Sequence, residues 1–149
     1  MNHETALLKA KEVADQVLVP SAGQNDKAGR FSTEAVAALG QAGLLGLNVP
    51  TDLGGSGLGP RTFAAVTATL AEADASVAMV YLMHVCGTTT IAAARPEAVV
   101  ESILQDIAAG KHLTTLAFSE SGSRSHFWAP VSRARRNGTG VLLRRRSRG

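Results

Sequence analysis

Hydrophobic residues recur at spacings of three and four along most of the chain, a pattern typical of amphipathic helices. The first run alternates with Lys, Glu and Asp side chains and comprises Leu7, Ala10, Ala14, Val17 and Leu18. Pro20 follows this run directly. Because proline removes a backbone donor and clashes with the preceding turn, we expect the first helix to end there. The polar, glycine-containing residues 21–30 are then predicted to form a loop.

A second, short helix is predicted after Ser32, whose hydroxyl can accept a hydrogen bond from a free amide of the first turn. Glu34 lies in that turn, where its charge complements the positive end of the helix. The inward positions of this segment are Val36, Leu39 and Leu44, with Gly43 and Gly46 loosening the backbone at its end.

The helical pattern of residues 61–94 is longer than an ordinary globular helix. Pro60 suits a first helical position, and the short polar side chains at 74–76 can cap a new helix, so two packed helices are expected. Their apolar faces are Phe63, Val66, Thr67 and Leu70, then Val77, Val80, Tyr81, Val85 and Ile91. A further helix should begin at Pro96 and end at Gly110. The pattern therefore predicts a mostly α protein.

Residues 113–130 depart from the helical pattern. The first part is rich in strand-forming residues, and the second part is rich in serine before an aromatic pair, Phe127 and Trp128. We expect a short strand that begins at Leu113 and runs into a hydroxyl-rich loop. Such a loop offers backbone N–H groups and rotatable O–H groups to a ligand with polar heteroatoms. The alternative is a serine-rich surface turn.

Composition narrows the class of protein. With 149 residues and 45% hydrophobic content the chain can bury one core, and an aromatic content of 4% favours a finely divided helical interior. The single Cys86 excludes an internal disulfide and fits a reducing compartment, so we expect a cytoplasmic location. Met1 is not followed by an apolar signal region, and no run of 18 uncharged apolar residues occurs; neither secretion nor membrane spanning is expected.

The positive net charge belongs to the carboxy-terminal tail. Residues 131–149 contain seven arginines and no acidic residue, whereas residues 1–130 contain eight basic and twelve acidic side chains. An arginine-rich tail of this kind can bind an anionic surface, although it lacks the interleaved aromatic residues typical of nucleic-acid binding. Nucleic acid is therefore not an expected partner.

Two other parts of the sequence could suggest a nucleotide site and a metal site, but each lacks residues that such a site requires. The glycine-rich stretch 48–60 has Gly55, Gly57 and Gly59 in strict alternation, without the G-x-G-x-x-G spacing or a Walker lysine. His84 lies on or beside the apolar helix face, and no second His or Cys stands at metal spacing, so it is interpreted as a hydrogen-bonded packing residue. Neither a nucleotide phosphate site nor a metal site is predicted.

Three segments occur in an order that resembles the amino-terminal region of acyl-CoA dehydrogenases: GLLGLNVPTDLGGSGLGP, LAEADASVAMVYLMH and LTTLAFSESGSRSHF. The resemblance covers about residues 5–140. Members of this family are oxidoreductases that use FAD to desaturate acyl-CoA thioesters. The resemblance implies an all-helical domain over residues 1–112, the start of a middle β domain with the flavin loop over 113–143, and an arginine-rich tail over 144–149.

The family's flavin strand and loop typically read A-x-T-E-P-x-A-G-S-D. This sequence follows that pattern at Ala117, Ser119, Glu120, Gly122 and Ser123, with Ser119 in the place of the threonine, a loop one residue shorter and Arg124 in the place of the aspartate. Ser121 stands in the place of the proline.

Carried over to this sequence, the pattern implies that Phe118 and Ser119 contact the pyrimidine edge of the flavin. It implies that Ser123 or Ser125 lies near the flavin and the acyl-CoA, and that Glu120 is a structural residue. The resemblance assigns no catalytic residue to this chain, since the family's base is a carboxylate from a downstream segment that has no counterpart here. The implied partners are acyl-CoA, an electron-transfer partner and a second copy of the chain.

The tail agrees with the family only in part. Asn137 and Gly138 are a good tight-turn pair, and the resemblance implies a hairpin near 137–140. Residues 144–149, RRRSRG, depart from the family pattern completely. The hypothesis at this point is a truncated or frameshifted family member that is inactive alone.

Three functions remain open from the sequence. The favoured one is FAD-dependent acyl-CoA dehydrogenation, to which this chain contributes a fragment. The second is a flavin-dependent monooxygenase of the same fold, favoured by the unusual SESGSRSHF loop. The third is a non-enzymatic protein that binds anions through its arginine-rich tail.

Overall fold

The computed structural model describes residues 1–94, 98–117 and 131–144. The helical part consists of α1 (His3–Val13), a π-helical turn (Ala14–Leu18), α2 (Val19–Ala28), α3 (Thr33–Gln41), a 3₁₀ turn (Thr51–Leu53), α4 (Pro60–Ala73), α5 (Ala75–Ala92) and α6 (Ala98–Ala108). Two strands follow, β1 (Arg133–Asn137) and β2 (Gly140–Arg144). The chain divides into two compact units, Met1–Thr115 and Leu116–Gly149. The predicted mostly α fold is confirmed.

The first helix does not end at Pro20, so that prediction is wrong. Helical backbone continues from α1 through the π-helical turn into α2, and the predicted loop at 21–30 is helical as far as Ala28. The N–H of Val19 bonds to the carbonyl of Ala14, a π-type pairing that shifts the hydrogen-bond ladder next to the proline. This shift accommodates the missing N–H of Pro20 near the start of α2. Gly29 then ends the helix in the left-handed region, at φ 60°.

The polarity of α2 therefore reflects its exposure rather than a lack of helix. None of its residues is buried, in contrast to α1, where Ala6, Ala10 and Val13 face the core. A helix that covers no core has no apolar face for a sequence pattern to reveal.

The other predicted helix starts are confirmed. The Ser32 hydroxyl accepts a hydrogen bond from the N–H of Ala35 at 3.3 Å and so caps α3. The Asp74 carboxylate accepts from the N–H groups of Ser76 and Val77 at 2.9 and 3.0 Å, which starts α5 and breaks the long helical pattern where expected. Pro60 is the first residue of α4. The predicted start of the last helix, Pro96, lies outside the described residues, and α6 begins at Ala98.

The core of the helical unit forms where α1, α3, α4 and α5 meet. Its largest fully buried side chains include Tyr81, Leu18, Leu39, Leu44, Leu47 and Leu70. A second, smaller cluster joins α6 to the 3₁₀ turn through Val49, Leu53, Leu104 and Ile107. This second cluster holds the carboxy-terminal part of α6 against the body of the unit.

Helix α5 has the length and the apolar composition that a membrane span would need. Some of these apolar residues belong to the core: Val77, Tyr81 and Val85 are buried against the other helices. Length and composition are a weak indication of a span, since a core helix of a globular domain passes the same test.

The strands β1 and β2 form an antiparallel hairpin in the second unit. Asn137 pairs with Gly140, and Gly138 takes φ 61° in the connecting turn, so the hairpin predicted near 137–140 is present. The side chains of β1 and those of Val141, Leu142 and Leu143 are exposed. The boundaries predicted at residues 112 and 143 stay predictions.

Candidate functional site

The four residues predicted to contact the flavin, Phe118, Ser119, Ser123 and Ser125, lie outside the described residues. The described stretch before them ends at Ala117, the residue that directly precedes Phe118. The candidate site is therefore defined here by the approach segment, residues 111–117, and by the groups of the helical unit that hold it.

The approach segment contains no strand, so the predicted strand from Leu113 is wrong for residues 113–117. Strand-forming side chains produce a ladder only when a neighbouring strand pairs with the backbone. Here the N–H of Thr114 donates instead to Nδ1 of His84, at 3.1 Å. The backbone donor that a sheet would use is bound by a helix side chain.

His84 is fully buried on α5 and is bonded through both ring nitrogens. Its Nε2 lies 3.0 Å from the carbonyl oxygen of Leu45. A carbonyl can only accept and a backbone N–H can only donate, so the two partners assign the tautomer with the proton on Nε2. His84 thus joins the turn after α3 to the approach segment. Its interpretation as a hydrogen-bonded packing residue is confirmed.

The surroundings of His84 favour the neutral ring. Burial lowers the pKa of His84, and the charge of nearby His112 acts in the same direction, while the Leu45 carbonyl opposes them. In addition, a protonated Nδ1 could not accept the N–H of Thr114. The hydrogen bond that holds the approach segment therefore belongs to the neutral state of His84.

Gly87 allows the approach segment to lie close to α5. A Cβ at this position would lie 3.0 Å from the Thr114 side chain and 3.1 Å from the backbone nitrogen of Thr115. These separations are tighter than ordinary van der Waals contact. His84 and Gly87 are three residues apart and so lie on one side of α5, where one binds the segment and the other leaves room for it.

Tyr81 lies three residues before His84 on α5 and binds the same turn after α3. Its hydroxyl donates to the carbonyl of Leu44 at 3.3 Å, next to the Leu45 carbonyl that His84 binds. Two successive carbonyls of one turn are thus held by two side chains three residues apart on α5. Burial raises the pKa of Tyr81 well above its ordinary value, so the hydroxyl remains a donor.

The approach segment begins directly after Gly110, which makes a close backbone contact with Gly40. Gly110 ends α6 at φ 71°, and a Cβ there would lie 2.9 Å from Cα of Gly40 near the end of α3. A side chain at either glycine would push the two helix ends apart. The approach segment is therefore held at its beginning by Gly110 and again at Thr114.

The described residues provide no site for a metal ion. Within residues 1–94, 98–117 and 131–144, no three His, Cys, Asp or Glu side chains are grouped so that they could hold one. Both nitrogens of His84, the buried histidine in this range, already have backbone partners. The arrangement is suited to holding a segment of backbone in place.

A helical domain whose buried histidine holds the backbone of Thr114 against α5 is the class of structure that these contacts define. Residues 2–111 match the family model described as "Acyl-CoA dehydrogenase, N-terminal domain". This match extends over well more than half of the chain. The chain belongs to the acyl-CoA dehydrogenase family, through its amino-terminal domain, and the resemblance noted in the sequence is confirmed.

Several curated relatives align with nearly all of the chain. The chain is 26% identical over 141 residues to the probable acyl-CoA dehydrogenase fadE25 of Mycobacterium leprae, covering 95% of this chain and 36% of the relative. It is 28% identical over 144 residues to the 3-(aryl)acrylate reductase of Clostridium sporogenes, covering 95% and 38%. It is 27% identical over 144 residues to the mitochondrial short-chain specific acyl-CoA dehydrogenase of Bos taurus, covering 95% and 34%. The chain thus spans little more than a third of these relatives.

Two solved structures show the same fold. One, described as the electron transferring flavoprotein of Acidaminococcus fermentans in work on flavin-based electron bifurcation, matches with a TM-score of 0.86 and 23% identity over 95% of this chain and 37% of its own. The other is a probable acyl-CoA dehydrogenase from Mycobacterium abscessus, with a TM-score of 0.80 and 24% identity over 95% and 38%.

The sequence did not reveal the link between His84 and Thr114. The two residues are thirty positions apart, and no local pattern relates them. One signal was present: Gly87 interrupts an otherwise apolar helix, and a glycine inside a helix often marks a close approach of another backbone. That signal indicates a contact but does not identify the segment that makes it.

Proposed function

We propose that this chain supplies one side of the flavin and acyl-CoA site of an FAD-dependent acyl-CoA dehydrogenase. Membership in the family supports this proposal, because the family uses FAD. The reaction is α,β-desaturation of an acyl-CoA thioester. The observation that carries the proposal is the held approach segment, which leads directly into the loop with the family's flavin pattern.

The described residues fit this role. The amide of Thr114 is held by a buried side chain, and Phe118 follows four residues later. A loop that starts from a defined position loses less conformational freedom when it orders around a ligand.

The loop residues have separate roles in this proposal. The backbone amide of Phe118 and the hydroxyl of Ser119 would donate hydrogen bonds to the pyrimidine edge of the flavin and so orient it. Ser123 or Ser125 would lie close to both the flavin and the acyl-CoA. When bound, FAD would supply the acceptor for the hydride that leaves the substrate β carbon.

The removal of the α proton requires a base that we do not assign to this chain. In the family pattern this base is a carboxylate from a segment downstream of the matched region. The chain by itself is therefore expected to bind FAD weakly and to catalyse no acyl-CoA oxidation. An electron-transfer partner, acyl-CoA and a second copy of the chain belong to the activity of the whole protein and are part of the same proposal.

The test is an FAD titration of the 149-residue chain, followed by flavin fluorescence. Saturable binding is expected, and Ser119→Ala should weaken it by about two- to tenfold, the effect of losing one hydrogen bond to a neutral group. Ser123→Ala and Ser125→Ala show which of these two serines lies near the flavin. Ser76→Ala is the control, because Ser76 is an exposed residue of α5. Equal affinity in all four variants and the parent chain would contradict the proposal.

A second candidate is reduction of an aryl-acrylate double bond. It is favoured by the 28% identity to a relative named 3-(aryl)acrylate reductase. Calorimetry on the FAD-loaded chain distinguishes the two candidates: binding of butanoyl-CoA supports the dehydrogenase, and binding of 3-phenylacrylate without butanoyl-CoA binding supports the reductase.

A further inference from the structure

The first strand of the hairpin carries a concentrated positive charge on exposed side chains. Arg133, Arg135 and Arg136 belong to β1, in which every residue is exposed. Residues 131–149 contain no acidic residue that could neutralise these guanidinium groups. The charge of β1 is therefore available to an anionic partner.

The second strand of the same hairpin exposes a run of aliphatic side chains. Val141, Leu142 and Leu143 have 68%, 51% and 70% of their surfaces exposed. Single exposed apolar side chains are common on proteins, whereas a contiguous group is typical of a surface that binds a partner. The hairpin thus combines one basic strand with one apolar strand.

The register of the hairpin places basic and apolar residues next to each other. Arg135 is directly opposite Leu142, and Arg136 is directly opposite Val141. Successive side chains of a strand point to opposite faces, so Arg133 and Arg135 share one face and lie about 7 Å apart along it. We call the face formed by Arg133, Arg135 and Leu142 the basic face.

We propose that the basic face binds a membrane surface that contains anionic phospholipid. The planar guanidinium groups donate pairs of hydrogen bonds to the phosphate and carboxylate groups of the lipid heads. Leu142, between them, enters the apolar boundary beneath the lipid heads. This inference concerns the hairpin alone and is independent of the proposed flavin and acyl-CoA site.

The exposed residues of the hairpin favour lipid over nucleic acid as the anionic partner. Proteins that bind single-stranded nucleic acid commonly stack aromatic side chains on the bases. Residues 131–149 contain no aromatic residue. Aliphatic side chains beside the arginines add little to a contact with a phosphate backbone, whereas the boundary of a bilayer accommodates them.

The test is co-sedimentation of the 149-residue chain with two kinds of vesicle. One kind consists of phosphatidylcholine alone, and the other of phosphatidylcholine and phosphatidylserine in equal parts. We expect binding to the second kind only, and we expect added salt to weaken it because exposed charges are screened. Equal binding to both kinds of vesicle, or binding that salt leaves unchanged, would overturn the proposal.

Two substitutions test the basic face itself. Arg135→Gln should weaken binding to the phosphatidylserine vesicles by about fivefold, the contribution of one basic residue near an anionic surface. Leu142→Ser should weaken it by about three- to tenfold, because part of an apolar side chain is no longer transferred from water. Either variant binding as tightly as the parent chain would contradict a contact through this face.

Lys27→Gln and Leu8→Ser are the matched controls. They make the same kinds of change at exposed residues of α2 and α1. Both should bind the vesicles as the parent chain does, and circular dichroism of all four variants verifies that the helices are retained. If the controls lose as much binding as the hairpin variants, the contact does not lie on the hairpin and the proposal fails.

A titration with fluorescent double-stranded DNA tests the competing partner. We expect the chain to prefer the phosphatidylserine vesicles and the Leu142→Ser change to affect vesicle binding. DNA binding that Arg135→Gln weakens and Leu142→Ser leaves unchanged, together with no vesicle binding, would assign the basic face to nucleic acid and overturn the lipid proposal.

Discussion

Nδ1 of His84 accepts the backbone N–H of Thr114 at 3.1 Å, across thirty residues of sequence. The donor belongs to a segment whose side chains favour a strand, and the acceptor belongs to the helix that lies against it. This bond occupies the backbone donor of Thr114, within a stretch, residues 113–117, that forms no strand. It also makes the segment sensitive to the protonation state of His84.

The stability of the helical unit should fall as the pH decreases below about 6.5, the ordinary pKa of histidine. Burial lowers the pKa of His84 in the folded chain, so the unfolded chain binds its proton more readily. The contribution of His84 is therefore complete above about pH 6.5 and is lost between that pH and the lowered pKa.

Urea unfolding of the parent chain and of His84→Asn at pH 7.5 and pH 5.5 measures this contribution. The other titratable groups near His84, His112 on the approach segment and Tyr81 on α5, are the same in both proteins. The difference in unfolding free energy between the two proteins should become smaller at pH 5.5. An equal difference at both pH values would show that His84 is not held neutral.

Gly87→Ala should disturb the approach segment without unfolding the helix. The added methyl group would lie 3.0 Å from the Thr114 side chain, so the segment must move by a few tenths of an ångström. Replacing glycine by alanine inside a helix favours folding by about 1 kcal/mol and offsets part of this cost. We expect a small change in melting temperature together with faster amide exchange at Thr114.

Gly23→Ala is the matched control for Gly87→Ala. Gly23 lies in α2, and a Cβ there meets no atom within 4 Å. The helix-propensity gain should appear alone, as an increase of about 0.5–1 kcal/mol in unfolding free energy. If the two alanine variants raise stability equally and leave Thr114 exchange unchanged, the close approach at Gly87 is not present in solution.

Tyr81→Phe should lower the unfolding free energy by about 1–3 kcal/mol. It removes the donor to the Leu44 carbonyl and leaves that acceptor buried without its partner, while the ring still fills its place. Chemical denaturation checks this value. A loss below about 0.5 kcal/mol would indicate that water replaces the hydroxyl.

From the burial of Tyr81 we also expect the chain to unfold at alkaline pH. Tyr81 is the single tyrosine of the chain, so the ultraviolet absorbance of tyrosinate reports on it alone. Burial raises the pKa of Tyr81, and its stabilising contribution is therefore complete below pH 10, the ordinary pKa, and is lost as the pH rises further. Tyrosinate should appear together with unfolding measured by circular dichroism. Ionisation near pH 10 in a folded chain would contradict the buried position of Tyr81.

Asp74→Ala should destabilise the junction between α4 and α5 by about 0.5–2 kcal/mol, the usual effect of losing an N-cap. The Asp74 carboxylate accepts from two amides of the first turn, and alanine has no acceptor for them. Asp74→Asn keeps a side-chain oxygen and should retain most of the stability. Thermal unfolding of the three proteins tests the prediction, and similar losses in both variants would show that charge, not capping, is the important property.

The sequence by itself determined the features that depend on neighbours a few residues apart. Ser32, Pro60 and Asp74 start helices through groups within their own first turns, so these starts were readable without a structure. The family pattern around the glycine-rich stretch and the serine loop was readable for the same reason, since it is a property of the chain order.

Only the tertiary structure decided the remaining features. Helical backbone continues through Pro20 because a π-helical turn shifts the hydrogen-bond ladder, and the fully buried Leu18 of that turn packs in the core. Residues 113–117 form no strand, and the N–H of Thr114 is bound instead by a side chain of α5. A hydrogen bond between residues thirty positions apart exists only after the helices have packed, and local propensity carries no information about that partner.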